Sequence, residues 1–186
     1  KKLCYVSSVA TLSTLPHTPI DEENDWNNED NNTDYAISKH GAEMEVWRGS
    51  QEGLPVVIVN PSVVLGGDFT DRGSGLLYKK VADGLRYYPA GATGFVGVDD
   101  VVRAMVQLQF SEVAGERFVL NAENLTYKAV LERIANQLGV KAPTKRVSHQ
   151  MLRFLARLDG VLSFLHLKKR TLTLASADAL GTVTTY

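Results

Sequence analysis

The first sixty residues alternate between short apolar runs and one longer helical stretch. Leu3–Val6 is an apolar run that predicts a short strand. Residues 35–51 contain mostly good helix formers, and a glycine and a proline close the segment. The four β-branched residues at 56–59 predict a strand buried on both faces of a parallel sheet, and we expect Pro61 to end its ladder. This order of strand, loop, helix and strand predicts a βαβ unit of a doubly wound α/β fold.

The remaining two thirds of the chain has mainly helical patterns. Helices are predicted over residues 76–85, 99–110, 126–138, 148–165 and 169–180, and a short strand over residues 117–120. Gly139 is placed to stop the third of these helices. The second part of the chain is therefore expected to be mostly helical.

Residues 91–97 have the spacing Gly-x-x-Gly-x-x-Gly, which is typical of a phosphate-binding loop. Such a loop follows a buried strand, and residues 83–90 do not have the pattern of one. We therefore interpret this segment as a turn into Phe95-Val96 and the helix after them.

An acidic stretch separates the first strand from the first helix. From Asp21 to Asp34 there are seven acidic residues and no basic one. We expect a solvated loop, because the spacing does not match a loop that wraps a cation. The four histidines share no ligand spacing, so no metal site is predicted.

Composition and charge are ordinary for a globular protein. The chain has 186 residues, of which 44% are hydrophobic and 22% charged, with a net charge of −1. This balance favours neither nucleic acid nor a membrane as a partner. The single cysteine, Cys4, has no partner for an internal disulfide, and no apolar run approaches the ~20 residues of a membrane helix. A cytoplasmic location is expected.

Tyr35 and Lys39 are the first residues that indicate chemistry. Four positions apart on a helix, a phenol and an ammonium share one face. A nearby cation favours the phenolate form, and such a phenol can exchange a proton with a carbonyl or an alcohol. Ser8 follows the first strand and Pro61 the second, so both are expected at the carboxyl edge of the sheet, where doubly wound folds bind ligands.

These features occur in an order that resembles a known family. The matching segments are residues 6–10, residues 35–39 with Ala42-Glu43 after them, residues 57–66 and residues 95–102. Together they resemble the second half of an extended short-chain dehydrogenase/reductase of the NAD-dependent epimerase/dehydratase family, nearest its dihydroflavonol-reductase-like and 3β-hydroxysteroid-dehydrogenase-like branch. The resemblance implies the C-terminal part of a Rossmann-like, doubly wound parallel sheet, plus a smaller, mostly helical substrate lobe.

The resemblance also implies roles for the three candidate catalytic residues. Ser8 would orient the substrate carbonyl and Tyr35 would act as the general acid/base. Lys39 would bind the nicotinamide ribose of NAD or NADP. The substrate would be a small molecule.

Further cofactor contacts follow from the same resemblance. Besides Tyr35 and Lys39, the turn from Pro61 to Val63 would lie along the nicotinamide. Ser74 is a weaker candidate for a phosphate or ribose contact, with an ordinary loop serine as the alternative.

The resemblance divides the chain at residue 66. Residues 1–66 would be the C-terminal part of the dinucleotide-binding domain. Residues 67–186 would be mainly the substrate lobe, with a return to the sheet near 93–121. The family's glycine loop is expected upstream, in an N-terminal half of the same protein, so we expect the fragment alone to be inactive and to bind NAD(P) weakly or not at all. By analogy, the helix over residues 35–51 would contribute to a homodimer.

Three functions stay open at this point. A reductase or dehydrogenase comes first, because Val9 and Ala10 stand where dehydratases of the family usually have an acidic pair. A nucleotide-sugar epimerase would use the same residues. A non-catalytic NAD(P)-binding scaffold is the third alternative.

Overall fold

The computed structural model describes residues 1–13, 18–30, 32–66, 73–164 and 172–186. Within them the strands are β1 (Leu3–Val6), β2 (Val56–Pro61), β3 (Val63–Leu65), β4 (Tyr87–Pro89), β5 (Ala92–Gly97), β6 (Glu116–Leu120), β7 (Glu123–Thr126) and β8 (Lys145–Val147). The α-helices are α1 (Asp34–Gln51), α2 (Gly75–Ala82), α3 (Val98–Gln109), α4 (Tyr127–Leu138), α5 (His149–Phe164) and α6 (Leu174–Gly181). The fold is an α/β fold with parallel strands, as predicted.

The sheet that carries the candidate site has the order β1-β2-β6, and both strand pairs are parallel. Val6 is in register with Val59, and Val59 with Phe118. Every residue of β2 is buried, which is the reason for its unbroken run of branched side chains. The two strand ends that follow Val6 and Val59 therefore lie side by side.

Strand β2 ends at Pro61, as predicted, and Pro61 is the last residue of its ladder with β6. Pro61 is in register with Leu120, and the Ser62 backbone N–H donates to the Leu120 carbonyl over 3.0 Å. A proline lacks only its own N–H. The Ser62 N–H therefore supplies the last hydrogen bond of the ladder, because the proline has no N–H to donate.

Helix α1 begins with a side-chain cap and buries one face. The Thr33 hydroxyl accepts a hydrogen bond from the Ala36 N–H over 3.1 Å. Ala36 and Glu43 are the buried residues of the helix. They are seven positions apart, so they lie on the same face. After the helix, Gly53 has a φ of 96°, a left-handed conformation that favours glycine.

The glycine-spaced segment at residues 91–97 is mostly a strand and not the turn that we predicted. Strand β5 pairs in parallel with β3 in a sheet of order β3-β5-β7. A Cβ atom on Gly94 would collide with the side chains of Asn121 and Tyr186. This glycine therefore allows close packing within the protein.

The chain divides into two compact units. The first consists of Lys1–Gly66, Gly94–Asn124 and Thr185–Tyr186. The second consists of Gly67–Thr93 and Leu125–Thr184.

The second unit is mostly helical. Leu152 and Ala156 of α5 pack with Ala177 of α6 to form its buried cluster. His149 Nε2 lies 2.7 Å from Asp178 Oδ1 and joins the same two helices. Gly139 ends α4 with a φ of 66° and so forms the predicted helix stop.

The predicted helices form with small shifts at their ends. The segment predicted as helix over residues 169–180 starts only at Leu174 within the described residues, and residues 165–171 lie outside them. Strands β3, β4, β7 and β8 were not predicted. Each has three or four residues, too few for a clear periodic pattern.

Candidate active site

Ser8 caps a short 3-10 helix, Val9–Thr11, directly after β1. The Ala10 N–H donates to the Ser8 hydroxyl oxygen over 3.2 Å. The Thr11 N–H and the Thr11 hydroxyl donate to the Ser8 carbonyl over 3.0 and 2.9 Å. Ser8 is therefore fixed through its side chain and its backbone, while its hydroxyl proton is not used in these bonds.

Tyr35 lies in the first turn of α1 and is 58% exposed. Lys39 follows on the same helix, so the two share a face as predicted from their spacing. The exposure leaves the phenol accessible to a ligand.

The Lys39 ammonium is held at the end of β1. Its Nζ donates to the Val6 carbonyl over 2.7 Å and lies 3.4 Å from the Tyr5 hydroxyl. The same atom is 4.9 Å from the centre of the Tyr5 ring, a cation–π contact. The contact with Tyr5 was not predicted, since nothing in the sequence distinguishes Tyr5 from an ordinary strand residue.

Pro61 and Val63 flank the end of β2 and the start of β3. Between them, the buried Ser62 hydroxyl donates to Asn121 Oδ1 over 3.1 Å. The preceding residue, Asn60, donates from Nδ2 to the Ser8 carbonyl over 3.2 Å. The ends of β1 and β2 are thus brought together as predicted.

Ser74 belongs to the second compact unit and precedes α2. Its side chain makes no capping hydrogen bond to that helix. A role for Ser74 in cofactor binding stays a prediction.

A buried carboxylate lies below Ser8 and was not predicted. Glu43 is 1% exposed. Its Oε2 accepts hydrogen bonds from Asn60 Nδ2 over 3.2 Å and from the Ser7 hydroxyl. The Thr11 hydroxyl lies 2.9 Å from the same oxygen and shares its one proton between this carboxylate and the Ser8 carbonyl. One feature of the sequence could have indicated this burial. Glu43 follows Ala36 by seven positions and so lies on the buried face of α1.

The second oxygen of Glu43 also faces donors. Trp47 Nε1 donates to Oε1 over 3.3 Å, and Arg117 Nη1 lies 3.8 Å from it. Buried charges are normally paired and hydrogen-bonded, and these neighbours meet that requirement.

Arg117 extends this network into the acidic loop. Its Nε donates to the Glu22 carbonyl over 2.8 Å, and its Nη2 to Asp25 Oδ1 over 3.1 Å. Glu22 Oε1 accepts from the Val119 N–H over 2.7 Å. The prediction of a solvated loop was wrong for this part, since Asn24 is also buried.

No group of three or more His, Cys, Asp or Glu residues in the described part of the chain is arranged to hold a metal ion. His40 stacks on Trp26 with 4.3 Å between ring centres. His17 and His166 lie outside the described residues.

No described helix is both long and apolar enough to cross a membrane.

The donor set at the end of β1 suits one part of a dinucleotide. An exposed phenol and an ammonium can bind the two hydroxyls of a ribose. The phosphates of a dinucleotide would need a separate glycine loop. Of the glycines at residues 91–97, Gly91 and Gly94 are packed against other parts of the chain and do not face an open loop. The described residues therefore fit a ribose of NAD(P) and include no glycine loop for its phosphates.

An open hollow of about 540 Å³ lies at the opposite end of the sheet. Lys2, Pro55 and Phe110 are among the residues that line it. Lys2 and Pro55 precede β1 and β2, so this hollow is at the amino ends of the strands. Ligands of doubly wound sheets bind at the carboxyl ends, and we do not assign the site here.

The family model of the NAD dependent epimerase/dehydratase family matches residues 1–121. Among curated relatives, the chain is 25% identical to sterol demethylase protein B of Methylococcus capsulatus over 92% of this chain and 53% of that protein. It is 33% identical to tetraketide alpha-pyrone reductase 2 of Arabidopsis thaliana, over 55% of this chain and 33% of that protein. It is 28% identical to a putative dihydroflavonol 4-reductase of Synechocystis, over 61% of this chain and 35% of that protein. The chain spans about half the length, or less, of these relatives.

The chain also resembles solved structures. A nucleoside-diphosphate-sugar epimerase from Pseudomonas aeruginosa is 26% identical, with a TM-score of 0.77 over 97% of this chain and 60% of that chain. The UDP-glucose 4-epimerase of Thermus thermophilus, solved in complex with NAD, has a TM-score of 0.65 at 22% identity over 79% of this chain and 50% of that chain, and it supports the fold. With a family model that covers about two thirds of its residues, the chain belongs to the NAD dependent epimerase/dehydratase family.

Proposed function

We propose that the protein containing this chain is an NAD(P)-dependent reductase or dehydrogenase that interconverts a carbonyl and an alcohol on a small organic substrate. The observation that carries the proposal is the arrangement at the end of β1. There the Lys39 ammonium is held 2.7 Å from the carbonyl of Val6, two residues before the capped Ser8, and it shares a helix face with the exposed Tyr35.

Each of the three residues has a distinct part in the proposed reaction. The Ser8 hydroxyl keeps its proton available and would donate it in a hydrogen bond to the substrate carbonyl oxygen. The Tyr35 phenol would give its proton to that oxygen as the alcohol forms, and would take it back in the oxidation. The Lys39 ammonium would stabilise the resulting phenolate. When bound, the nicotinamide supplies or accepts the hydride.

The cofactor contacts are part of the proposal. Lys39 and Tyr35 would bind the ribose of NAD or NADP, and Pro61 and Val63 would line the nicotinamide. Ser74 is proposed as a phosphate or ribose contact.

The second candidate is a nucleotide-sugar epimerase, which the 26% identity to the Pseudomonas aeruginosa epimerase favours. A reductase is preferred because reductases are among the curated relatives, and one of them is 33% identical. Val9 and Ala10 lack the carboxylates that a dehydratase of the family would have after Ser8. The presence of Ser8, Tyr35 and Lys39 together argues against a non-catalytic scaffold.

Deuterium transfer separates these candidates. The full-length protein is incubated with NADH or NADPH deuterated at C4 of the nicotinamide, together with a panel of ketones, aldehydes and nucleotide sugars. A reductase consumes cofactor in step with product and places deuterium on the new carbinol carbon. Conversion of a nucleotide sugar without net cofactor consumption would overturn the proposal in favour of the epimerase, and the absence of both reactions would favour the scaffold.

A cytoplasmic location, a homodimer built on α1 and an upstream glycine-loop half are also proposals. They depend on the family resemblance and on the single cysteine. The sequence of the full-length protein and its mass in solution would test the last two.

A further inference from the structure

We propose that Glu43 is a positioning residue for Ser8, a role that rests on the proposed function of Ser8 in binding the substrate carbonyl. The carboxylate is 1% exposed and has no direct path to a ligand. It would act through the two side chains that it shares with the Ser8 backbone.

Thr11 and Asn60 make that connection. The Thr11 hydroxyl lies 2.9 Å from both the Ser8 carbonyl and Glu43 Oε2. Asn60 Nδ2 lies 3.2 Å from each of the same two oxygens. Any shift of the carboxylate therefore changes both side chains that hold the Ser8 carbonyl.

The carboxylate also fixes the orientation of the Asn60 amide. Nδ2 faces three oxygens, those of Ser8, Thr11 and Glu43, at 3.0 to 3.2 Å. In the flipped orientation Oδ1 would face the Ser8 carbonyl and the carboxylate, neither of which has a proton to donate. In the observed orientation Oδ1 is buried and has no hydrogen-bond partner in the described part of the chain. The Asn60 amide therefore directs its N–H groups at Ser8 and Glu43, while its own oxygen makes no hydrogen bond within the described residues.

An amide could not replace the carboxylate. Both oxygens of Glu43 face donors, since Trp47 Nε1 and Arg117 lie at Oε1 and the Ser7 and Thr11 hydroxyls and Asn60 lie at Oε2. A glutamine in either orientation would place N–H groups against some of them. Glu43→Gln therefore disturbs the network with almost no change in volume.

The expected consequence is a loss of turnover and not of cofactor binding. A displacement of a positioned group by about 1 Å can cost on the order of 100-fold in rate. We expect Glu43→Gln to lower kcat by about 10-fold to 100-fold, with the KM for NAD(P) changed by less than about 3-fold. Glu45→Gln is the matched control, because Glu45 lies on the same helix and its carboxylate pairs with Arg48 on the surface. It should leave kcat and Tm unchanged.

A double-mutant cycle with Ser8→Ala in the full-length protein tests whether Glu43 acts through Ser8. Groups that act as a unit have non-additive effects. In the Ser8→Ala background, Glu43→Gln should lower kcat by less than about 3-fold. If the two losses multiply, Glu43 does not act through Ser8 and the inference is wrong.

Backbone amide exchange tests the same inference without any substrate. The Ala10 and Thr11 N–H groups are bonded to Ser8, so their hydrogen exchange reports on its order. In the full-length protein, Glu43→Gln should speed their exchange by about 10-fold or more and leave residues 57–59 of β2 unchanged. Unchanged exchange at Ala10 and Thr11 would overturn the inference. Faster exchange in a protein that reduces no carbonyl would keep the positioning and reject the proposed function.

A second pair of variants covers the case in which Glu43→Gln does not fold. Thr11→Val removes the shared hydroxyl and keeps the shape, whereas Thr11→Ser keeps the hydroxyl. We expect Thr11→Val to reproduce the loss of kcat and the faster exchange, and Thr11→Ser to restore both. Equal behaviour of the two variants would contradict the inference.

Discussion

The side-chain amide of Asn60 donates to the backbone carbonyl of Ser8 over 3.2 Å and so joins the end of β2 to the end of β1. Asn60 is fully buried, and its other neighbours are the Thr11 hydroxyl and the Glu43 carboxylate. The candidate site therefore depends on a buried polar network below it.

Asn60→Ala should destabilise the protein by about 1–3 kcal/mol, because it removes a hydrogen-bond donor from the buried oxygens that Asn60 faces. Urea unfolding at equilibrium measures this change. Asn136→Ala is the control, since Asn136 is exposed on α4 and alanine is the better helix former. Equal stabilities of the two variants would show that the Asn60 amide makes no net contribution.

Arg117→Met should loosen the acidic loop and lower the free energy of unfolding by about 2–4 kcal/mol. The guanidinium holds the Glu22 carbonyl and the Asp25 carboxylate and lies 3.8 Å from the buried Glu43. Removal of the guanidinium leaves the buried Glu43 without this positive charge and the loop without its side-chain donors.

Limited proteolysis measures the loop separately from global stability. Residues 21–30 contain many acids and no lysine or arginine, so a protease specific for acidic residues is the appropriate probe. We expect faster cleavage in Arg117→Met than in the parent protein. An unchanged rate would mean that Arg117 does not order the loop.

The main elements of the first unit follow from local pattern. The unbroken run of branched residues in β2 and the good helix formers of residues 35–51 are clear local signals, and the order of Ser8, Tyr35, Lys39 and Pro61 predicts one edge of the sheet for them. These predictions need only the propensities of neighbouring residues and their order along the chain.

The buried network could not be predicted in the same way. Glu43, Asn60 and Arg117 are far apart in sequence, and charged residues are mostly exposed. Their burial is decided by partners that the fold brings together. The short strand β5 was missed for a similar reason, because its glycines are explained by the packing of Asn121 and Tyr186 against Gly94.

Gly94→Ala and Gly41→Ala should have opposite effects on stability. A Cβ atom on Gly94 would meet the Asn121 and Tyr186 side chains, so overpacking should cost about 1–3 kcal/mol. A Cβ atom on Gly41, within α1, has open space, and alanine there should stabilise by roughly 0.5–1 kcal/mol. Thermal unfolding of both variants checks the signs. A neutral Gly94→Ala would reopen the interpretation of residues 91–97 as a ligand loop.

Cys4 should react slowly with thiol reagents. Burial raises the pKa of the Cys4 thiol, and the positive charge of Lys2 opposes this only in part. The thiolate is the reactive form, so its fraction at neutral pH is lower in the folded protein than in the unfolded chain. Because the folded state favours the thiol, the associated stability is present below the usual pKa of a cysteine and is lost as the pH rises through the raised value.

The rate of labelling by a chromogenic disulfide, measured from about pH 7 to about pH 10, checks this expectation. The folded protein should react more slowly than the protein in urea, and its rate should rise at higher pH. Equal rates in the two states at neutral pH would contradict it.

The most direct test of the proposed function is the turnover of Tyr35→Phe in the full-length protein. The substitution removes the proton donor and keeps the ring. General acid catalysis contributes about 100-fold to 10,000-fold, so kcat for carbonyl reduction should fall by that factor, with Tm little changed. Tyr87→Phe is the control, because Tyr87 is another exposed tyrosine and lies in the second unit. A Tyr35→Phe protein that reduces its substrate as fast as the parent would contradict the account.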